Sequence, residues 1–457
     1  MNYDISLSVA SHAETAQLNT KMKVGVALIV IAAFVLGIGL FNQFFHPILL
    51  GVFIITLSAG SLLYTNGLYA DKTPGIKNNG VMFKSLTSRG LWAWVLGVSL
   101  TAFYILLYWY PQYLGLNEKG NTGLVRFFDP LSYLLSGHAA SQWFVYGTLY
   151  TLAILLMGVK FIYKNIHSKY QVLRTLSIMF FQLILAFLLP EILGGLNLPY
   201  NDFKNMWPLN YYFFHDWHIK ELLSSGSFGM FVLVWGILLI TVISPFLTYY
   251  FGKRWYCSWV CGCGGLAETA GDPFRQLSSK KMSAWKLERV TIYSVLIFAV
   301  VMTALVIYNY FTGASKVLFL DAYKVREWYG FIIGAAFSGV IGVGFYPIFG
   351  SRVWCRFGCP MAAILGIQQK FFSRFRITTN GSQCISCGNC STYCEMGIDV
   401  RAYAQRGQDI VRSSCVGCGV CSAVCPRGVL KLENGPKETK KLDGPIQYKN
   451  GDFIVTK

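Results

Sequence analysis

Eight cysteines near the carboxyl end of the chain fall into two runs with identical spacing. The first run is Cys384, Cys387, Cys390 and Cys394, and the second is Cys415, Cys418, Cys421 and Cys425. Each run reads C-x2-C-x2-C-x3-C. Three thiolates two residues apart can surround one face of a metal cluster from a tight loop, while the fourth, on a helix, points away. The spacing therefore predicts metal–thiolate chemistry.

This is the spacing with which bacterial-type ferredoxins hold [4Fe–4S] clusters, and in two-cluster members the fourth cysteine of each run ligates the other cluster. We therefore assign two ligand sets: cluster I to Cys384, Cys387, Cys390 and Cys425, and cluster II to Cys415, Cys418, Cys421 and Cys394. The structural alternatives are zinc, which needs only four thiols, and disulfides. Eight cysteines that match the cluster pattern twice favour iron and sulfur.

The composition places most of the chain in a lipid bilayer. Hydrophobic residues make up 54% of its 457 residues, charged residues make up 13%, and the mean hydropathy is +0.46. The formal net charge of +18 is spread between apolar segments and not over a basic, aromatic-interleaved domain. We therefore expect lipid as a partner and no nucleic acid.

Eight segments are long and apolar enough to cross a bilayer, for which about 20 residues are needed. They lie at 23–43, 47–67, 91–112, 145–163, 174–196, 229–251, 289–311 and 328–349. A shorter apolar piece, Arg126–Leu135, predicts an interfacial or re-entrant helix. The fold class predicted is a polytopic α-helical membrane protein with about eight transmembrane helices and a small C-terminal α+β ferredoxin domain with two [4Fe–4S] clusters.

Five regions follow from this organisation. We expect a cytoplasmic N-terminal segment at 1–22, a transmembrane domain at 23–350 and a basic amphipathic connector at 351–376. A two-cluster ferredoxin domain follows at 377–435, with one or two helical turns at Val400–Arg406. The polar tail at 436–457 is expected to carry a short strand near Phe453.

The loops between the apolar segments predict the orientation. With a cytoplasmic amino terminus, the inner loops hold seventeen Lys and Arg residues and the outer loops hold seven. Cytoplasmic loops carry the excess of basic residues in membrane proteins. We therefore expect a multi-pass protein of the bacterial inner membrane, with both termini and the clusters in the cytoplasm.

A second cysteine pattern forms an internal repeat. Cys257 and Cys261 follow Phe251-Gly252, and Cys355 and Cys359 follow Phe349-Gly350, so that the two C-x3-C pairs align at a fixed offset. The pairs follow spans that enter the same face, and their thiols could converge at the inner membrane surface. A metal or third redox centre, a dithiol relay and a purely structural role all remain open, since buried cysteine is often only a small hydrophobe. Cys263 is interpreted as incidental.

The two C-x3-C pairs at helix ends, followed by the two-cluster segment, resemble the membrane-bound polyferredoxins of the NapH/NosR/CcoG type over about residues 229–430. The resemblance implies electron transfer with quinol, or service in the assembly of a metalloenzyme. Gly262 stands where that family has proline, and Glu395 replaces the proline that would follow Cys394.

The function predicted is electron transfer between a quinol/quinone pool or a soluble donor and a membrane or periplasmic reductase, with a redox partner protein. The alternatives are an assembly factor that reduces or handles a metal such as copper through the C-x3-C pairs, and a redox sensor. Enzymatic activity of the quinol dehydrogenase type is an open expectation. No dinucleotide fingerprint follows a strand, so direct NADH oxidation is not expected.

Weaker candidates lie elsewhere in the chain. His215, His218 and Glu191 could bind a metal or quinone headgroup or relay protons, but interfacial aromatic packing is the favoured interpretation of their surroundings. Basic residues that flank the cluster motifs could favour the more negative reduced state and raise the potential. These are Arg376, Arg412 and Arg427.

Overall fold

The computed structural model of the chain describes residues 18–41, 46–69, 83–314, 316–317 and 320–435, with the backbone of two further strands at 446–449 and 452–455. The predicted N-terminal segment therefore lies outside the described residues up to position 17. The predicted tail is described only at its two strands. One of them, Asp452–Val455, contains the strand expected near Phe453.

Seven helices in the described part of the chain are long and apolar enough to cross a membrane. They are α1 (Thr20–Gly39), α2 (Ile48–Tyr69), α3 (Leu91–Trp109), α5 (Gln142–Lys164), a helix at Lys169–Gly195, a helix at Gly226–Phe251 and α13 (Met282–Thr312). Short α4 (Gly123–Ser136) lies between α3 and α5. Two spans are continuous helices with internal π-helical turns. The first consists of α6 (Lys169–Phe180) and α7 (Leu189–Gly195). Short α8 (Asp216–Ser224) precedes the second, which consists of α9 (Gly226–Leu238) and α10 (Ser244–Phe251).

The eighth expected span, 328–349, is not among these seven. Here α14 (Ala322–Tyr329) starts in a charged turn and continues as a π-helix over Gly330–Ile341, after which the chain turns before α15 (Tyr346–Phe349). The helix is continuous from Ala322 to Ile341, with Lys324, Arg326 and Glu327 in its first turns. The expected single helix is therefore corrected in its bounds: it begins before residue 328 and is interrupted by a turn after Ile341.

The helices α1 and α2 form an antiparallel hairpin whose backbones touch. Asn19 Nδ2 donates to the Gly67 carbonyl oxygen at 2.6 Å, and Lys21 Nζ donates to Asn66 Oδ1 at 3.1 Å. Lower in the hairpin, a Cβ on Gly25 would lie 2.7 Å from the Tyr64 nitrogen and 2.8 Å from the Gly60 oxygen. Small residues allow this close approach, which is the usual basis of helix association in lipid.

Short helices and small sheets complete the fold. The helices are α11 (Arg254–Cys257), α12 (Gly262–Glu268), α16 (Val353–Phe357), α17 (Pro360–Phe372), α18 (Asn389–Thr392), α19 (Val400–Gln405) and α20 (Val420–Ala423). The helix expected at Val400–Arg406 is confirmed by α19. Three two-stranded antiparallel sheets pair β1 (Lys316–Val317) with β2 (Leu320–Asp321), β3 (Arg376–Thr379) with β4 (Leu430–Glu433), and β5 (Ile446–Lys449) with β6 (Asp452–Val455).

One hydrophobic core joins the membrane helices to the cysteine-rich end of the chain. It contains Val295 and Met302 of α13 together with Leu365 of α17 and Ile377 of β3. The stretch 351–376 lies inside this shared core, since most of α17 is buried. The cysteine-rich unit is therefore packed onto the membrane domain and not suspended from it.

The contact at Gly25 predicts a position-specific effect of bulk within α1. Gly25→Leu should separate α1 from α2 and lower stability by about 1–3 kcal/mol or more, because the added side chain meets backbone. Gly37→Leu on the same helix is the matched control, since a Cβ there meets no atom within 4 Å. Thermal unfolding in detergent measures both variants, and equal stability of the two would contradict the packing described.

Candidate functional site

The cysteine-rich unit is built from two copies of one backbone motif, thirty-one residues apart in sequence. In each copy a left-handed glycine, Gly388 or Gly419, precedes a one-turn helix, α18 or α20, that carries the third cysteine of the run. A second left-handed glycine, Gly397 or Gly428, follows the fourth cysteine. The spacing of the cysteines and the geometry of the loops therefore repeat together.

One position of the motif lacks glycine although its backbone is left-handed. Gly417 has φ +62° and the equivalent Ser386 has φ +58°. A non-glycine residue in this conformation costs of order 1–3 kcal/mol and is usually retained at functional sites. The same turn in both copies lies between the first and second cysteines and directs the two thiols to one side.

The cluster I thiols face a common space. Cys384, Cys387, Cys390 and Cys425 all line one small cavity, together with Arg401 and Arg427. The Val429 amide donates to Cys425 Sγ at 3.4 Å, and the equivalent Ile398 amide donates to Cys394 Sγ at 3.4 Å. Amide donors to cluster thiolates stabilise their negative charge. The residues present therefore fit a [4Fe–4S] cluster with crossed ligands, and the assignment of iron to these thiols stays a prediction.

The cluster II thiols lie against the membrane domain. Gln171 Nε2 donates to the Cys418 carbonyl oxygen at 2.9 Å, and Tyr170 Oη donates to the Gly417 oxygen at 2.9 Å. Ser258 Oγ, from the first C-x3-C loop, donates to the Val416 oxygen at 2.8 Å. These bonds hold the 415–418 loop on α6 and on the first cysteine pair. Cluster I is at the opposite, exposed end, where Ile385 is 55% exposed.

A buried ionic network joins the two parts beside Cys418. Glu268 pairs with Arg174 at 2.5 Å and with Arg352 at 2.6 Å, while Glu395 pairs with Arg352 at 3.0 Å and with Arg275 at 3.4 Å. All five side chains are at most 1% exposed. Burial opposes charge on Glu268, but Arg174 and Arg352 outweigh it and lower the pKa of that carboxyl well below its usual value.

The carboxylates of this network do not form a cation site. One oxygen each of Glu268 and Glu395 and the Cys418 sulfur lie within 4.8 Å of one another. The guanidinium groups of Arg275 and Arg352 already occupy the space around both carboxylates. A divalent cation would be repelled by these arginines, so the arrangement serves to neutralise buried charge next to cluster II.

The C-x3-C repeat predicted from sequence is a structural repeat. Each copy begins at a positive-φ glycine, Gly252 or Gly350, and passes through a short helix that contains the first cysteine. The amide of the second cysteine then closes the loop: Cys261 N donates to the Tyr256 oxygen at 2.8 Å and Cys359 N donates to the Trp354 oxygen at 3.0 Å.

The two pairs converge in one buried core. Cys257, Cys261, Cys355 and Cys359, which we call the four-thiol site, are 5–7% exposed and belong to the same cluster of packed residues. Arg352 NH1 contacts both the Cys257 oxygen at 3.2 Å and Cys355 Sγ at 3.6 Å, across the two copies. Burial raises the pKa of Cys257 to about 12 in the absence of a metal.

The spacing of these thiols distinguishes between metal groups. Within the described part of the chain, no three cysteine sulfurs lie within 4.8 Å of one another. A single tetrahedral ion with Zn–S bonds of about 2.3 Å brings its ligand sulfurs to about 4 Å. A cubane cluster holds its ligands more widely apart. The thiols of the four-thiol site, like those of the two ferredoxin sites, are therefore spaced more widely than the ligands of a single tetrahedral ion.

A buried ammonium acts on thiols of both cysteine regions. Lys253 is 0% exposed, and its Nζ has no hydrogen-bond partner among the described residues. Its charge acts on Cys257 and on Cys415. An isolated buried cation is costly, so an anionic group is required nearby. Thiolate-ligated clusters on either side would supply that negative charge.

In the structure, the weaker candidate residues are buried packing residues or lie near the surface of the ferredoxin unit. His215 and His218 are each 4% exposed among aromatic rings, and burial lowers the pKa of His215 to about 4. Neither histidine shares a three-ligand group with other described residues. Of the three arginines expected to tune the clusters, Arg427 lines the cluster I cavity, Arg376 pairs with Glu433 and Arg412 stacks on Trp285.

Sequence reasoning missed the partners of the cysteines. Glu268, Arg352 and Lys253 were not selected as site residues, although each lies beside a cysteine pair. The signal available was Glu395, which replaces a proline directly after Cys394. A charged residue in that position requires a buried partner, and the structure supplies Arg352 and Arg275.

The network predicts a large cost for removing one of its arginines. Arg352→Met should destabilise the protein by about 3–5 kcal/mol, because it leaves buried carboxylates without their partner. Adding Glu395→Gln should restore part of that loss. Arg412→Met, which removes a half-buried cation stacked on Trp285, is the control and should cost about 1 kcal/mol or less. Thermal unfolding of anaerobically purified protein decides the matter; an Arg352 variant as stable as the control would refute the role described.

Comparison with known proteins supports iron–sulfur chemistry at both cysteine regions. Residues 376–426 match the family described as 4Fe-4S dicluster domain. Residues 233–282 and 331–378 both match the family described as 4Fe-4S binding domain, so the same family is found at each copy of the C-x3-C repeat.

Two curated proteins are similar to parts of the chain. "Putative electron transport protein YccM" of Escherichia coli (strain K12) is 27% identical over 155 residues, which cover 32% of this chain and 43% of that protein. "Uncharacterized protein MJ0749" of Methanocaldococcus jannaschii is 27% identical over 169 residues, 35% of this chain and 59% of that protein. The chain thus spans about half the length of these relatives. No solved structure matches it significantly. These similarities support an iron–sulfur protein family and not a particular subtype within it.

Proposed function

We propose that this chain is a membrane-embedded electron carrier with three iron–sulfur centres: clusters I and II in the ferredoxin unit and a third at the four-thiol site. The name of the Escherichia coli relative, which refers to electron transport, supports the general activity. The family matches at both copies of the C-x3-C repeat support the third centre. Such clusters supply reversible one-electron transfer, and the protein sets their potentials.

One observation carries this proposal: the four buried thiols of the C-x3-C repeat converge in one core, and Ser258 Oγ of that repeat donates to the Val416 oxygen of the ferredoxin unit. Lys253 supports it, because its ammonium is 0% exposed and the described residues offer it no carboxylate. Its charge acts on both Cys257 and Cys415, so anionic centres at both thiol sites would compensate it.

The arrangement of the thiol sites gives a route through the protein. Cluster I is at the exposed end, near Ile385 and Arg427, where a soluble redox partner can approach. Cluster II is docked on the membrane helices. Arg352 then bridges from Glu395, beside Cys418, to the Cys355 sulfur. Electrons would pass between a cytoplasmic partner and a carrier in the membrane, such as quinol or quinone, or a reductase beyond it.

The orientation and location are part of the proposal. The excess of Lys and Arg in alternate loops, and not the number of helices, supports a cytoplasmic ferredoxin unit in a bacterial inner membrane. Several of these basic residues, including Arg174, Lys253 and Arg254, lie on the face that holds the unit. The ferredoxin unit thus lies on the same face as these basic residues, which supports the proposed cytoplasmic side.

Quantification of iron and acid-labile sulfide in anaerobically purified protein tests the three centres. We expect about twelve iron atoms and twelve sulfides per chain, four for each cluster. Cys257→Ala with Cys355→Ala should remove about a third of both, whereas Cys263→Ala, a matched cysteine outside the four-thiol site, should remove none.

The same measurement separates the rival function. About eight iron atoms with copper bound at the four-thiol site would support a metal-handling assembly factor instead. Zinc in place of iron, or no sulfide, would refute the electron carrier altogether. A sensor would show a redox-dependent change of structure without steady electron transfer between donor and acceptor.

The position of Lys253 predicts an electrostatic effect on two centres at once. Lys253→Met removes one positive charge and should lower the midpoint potentials of cluster II and the third centre by about 50–100 mV, because the reduced forms are more negative. Lys281→Met removes a charge from the exposed surface and serves as the control. Spin-resonance-monitored redox titration measures each centre, and a shift confined to cluster I would contradict this placement.

A further inference from the structure

A cavity of about 370 Å³ lies against the four-thiol site, and no residue of the ferredoxin unit is among those that line it. Its size falls within the range of about 300–1,000 Å³ that is usual for small-molecule sites. Cys261 and Cys263 both line it, and so do Trp143 of α5 and Lys204 of the segment between α7 and α8. Trp143 is 47% exposed, so the cavity reaches the surface of the helix bundle.

The walls are aromatic but carry hydrogen-bonding groups on separate elements. Tyr146 and Tyr150 extend from α5, and Ser338 comes from the π-helix that follows α14. Asn205 also lines the cavity, and its Oδ1 is buried without a hydrogen-bond partner among the described residues. A planar ring with polar groups at more than one edge matches this distribution of donors and acceptors.

The charges in the cavity select for a neutral ligand. Lys204 Nζ lies 3.1 Å from Asp202 Oδ2, and both residues line the cavity, so the cation is already compensated. The lysine side chain is 8% exposed while the aspartate is 22% exposed, which connects the pair to water. An anion would meet Asp202 and a cation would meet Lys204, whereas a neutral molecule can accept a hydrogen bond from the ammonium.

A thiol-bound metal ion does not fit this cavity. Cys261, Cys263 and Asp202 all line it, yet they do not form a three-ligand group within 4.8 Å in the described part of the chain. The cavity is also far larger than one ion. Gly262 contributes to its space, because a Cβ at that position would lie 2.6 Å from Gln182 Oε1. The missing side chain at Gly262 therefore keeps the wall beside Cys261 open.

We propose that this cavity binds the ring of a quinone-class carrier in contact with the four-thiol site, an inference that rests on the electron-carrier function proposed above. Reduction of one ring to the quinol takes two electrons, delivered singly through the iron–sulfur centres, and two protons. Both protons come from outer water through the Asp202–Lys204 pair. Oxidation of the quinol returns two electrons to the iron–sulfur centres and releases two protons through the same pair. Lys204 and Asn205 are the residues that hold the polar edges of the ring.

Photolabelling with a short-chain azidoquinone tests the binding site directly. The intact protein in lipid nanodiscs is illuminated with the probe, digested and mapped by mass spectrometry. We expect labelled peptides from the cavity walls, around residues 143–150 and 200–211, and competition by the unmodified short-chain quinone. Labelling confined to the separate apolar cleft lined by Val26, Leu156 and Lys160, or no competed labelling, would overturn the proposal.

Variants sharpen the test without relying on electron transfer. Lys204→Met and Asn205→Leu should each reduce competed labelling at least tenfold, while Lys220→Met, an exposed lysine outside the cavity, should leave it unchanged. Iron content and the dithionite-reduced spectrum confirm that each variant is intact. If a variant has lost iron or has an altered spectrum, the labelled peptides of the unaltered protein alone decide whether the cavity binds the ring.

Quinol-driven reduction of the centres gives an independent readout. Both cavity variants should slow it at least tenfold and leave reduction by dithionite unaffected. Equal rates in the variants and the unaltered protein would overturn the proposed site. A protein without iron and acid-labile sulfide would refute the electron-carrier function itself, whereas the labelling map would still decide the location of the ring.

Discussion

Compensation of buried charge is the constraint on which this structure depends. Arg352 joins Glu268 of the first C-x3-C region to Glu395 of the ferredoxin unit, and all three side chains are removed from water. Removing ions from water costs several kcal/mol each, and only close pairing repays it. The network therefore fixes the relative position of two regions that are distant in sequence. It also places Cys418 of the ferredoxin unit beside the second cysteine pair, because Arg352 contacts both Glu395 and the Cys355 sulfur.

The same constraint explains where the buried charged side chains lie relative to the thiol sites. Buried positive side chains lie beside the thiol sites, where the proposed centres are negative: Arg352 contacts the Cys355 sulfur, and the charge of Lys253 acts on Cys257. Lys253 has no carboxylate partner among the described residues, and the proposed centres would supply its countercharge. By contrast, the cavity on the other side of the four-thiol site carries a compensated pair, Asp202 and Lys204. One side is thus suited to anionic centres and the other to a neutral molecule.

The sequence was sufficient for features with a strict local signature. The cysteine runs predicted the loops, since three thiols around one cluster leave little freedom to the backbone, and apolar length predicted seven of the helices. The repeat of Cys257 and Cys355 was also visible as a fixed offset. The expected span at 328–349 differs from the structure in its bounds, because apolar composition does not reveal where a π-helix ends and the chain turns at Gly342.

Features that depend on contacts between distant segments could not be derived in this way. Glu268 and Arg352 are eighty-four residues apart, and the local sequence around either residue does not indicate that the two are in contact. Cys263 looked incidental by spacing, yet it lines a cavity whose opposite wall comes from the segment around Lys204. Such sites depend on the assembled bundle, so their chemistry appears only when the helices are in place.

The close fit of the 415–418 loop limits the side chains that it can carry. A Cβ on Gly417 would lie 2.7 Å from Arg254, and one on Gly419 would lie 2.7 Å from Tyr170, so the seam between the unit and the bundle leaves no space for a side chain at either position. Both glycines also have positive φ, which other residues rarely adopt. Variation at this seam is therefore restricted twice, by backbone conformation and by the surface of the helices that it meets.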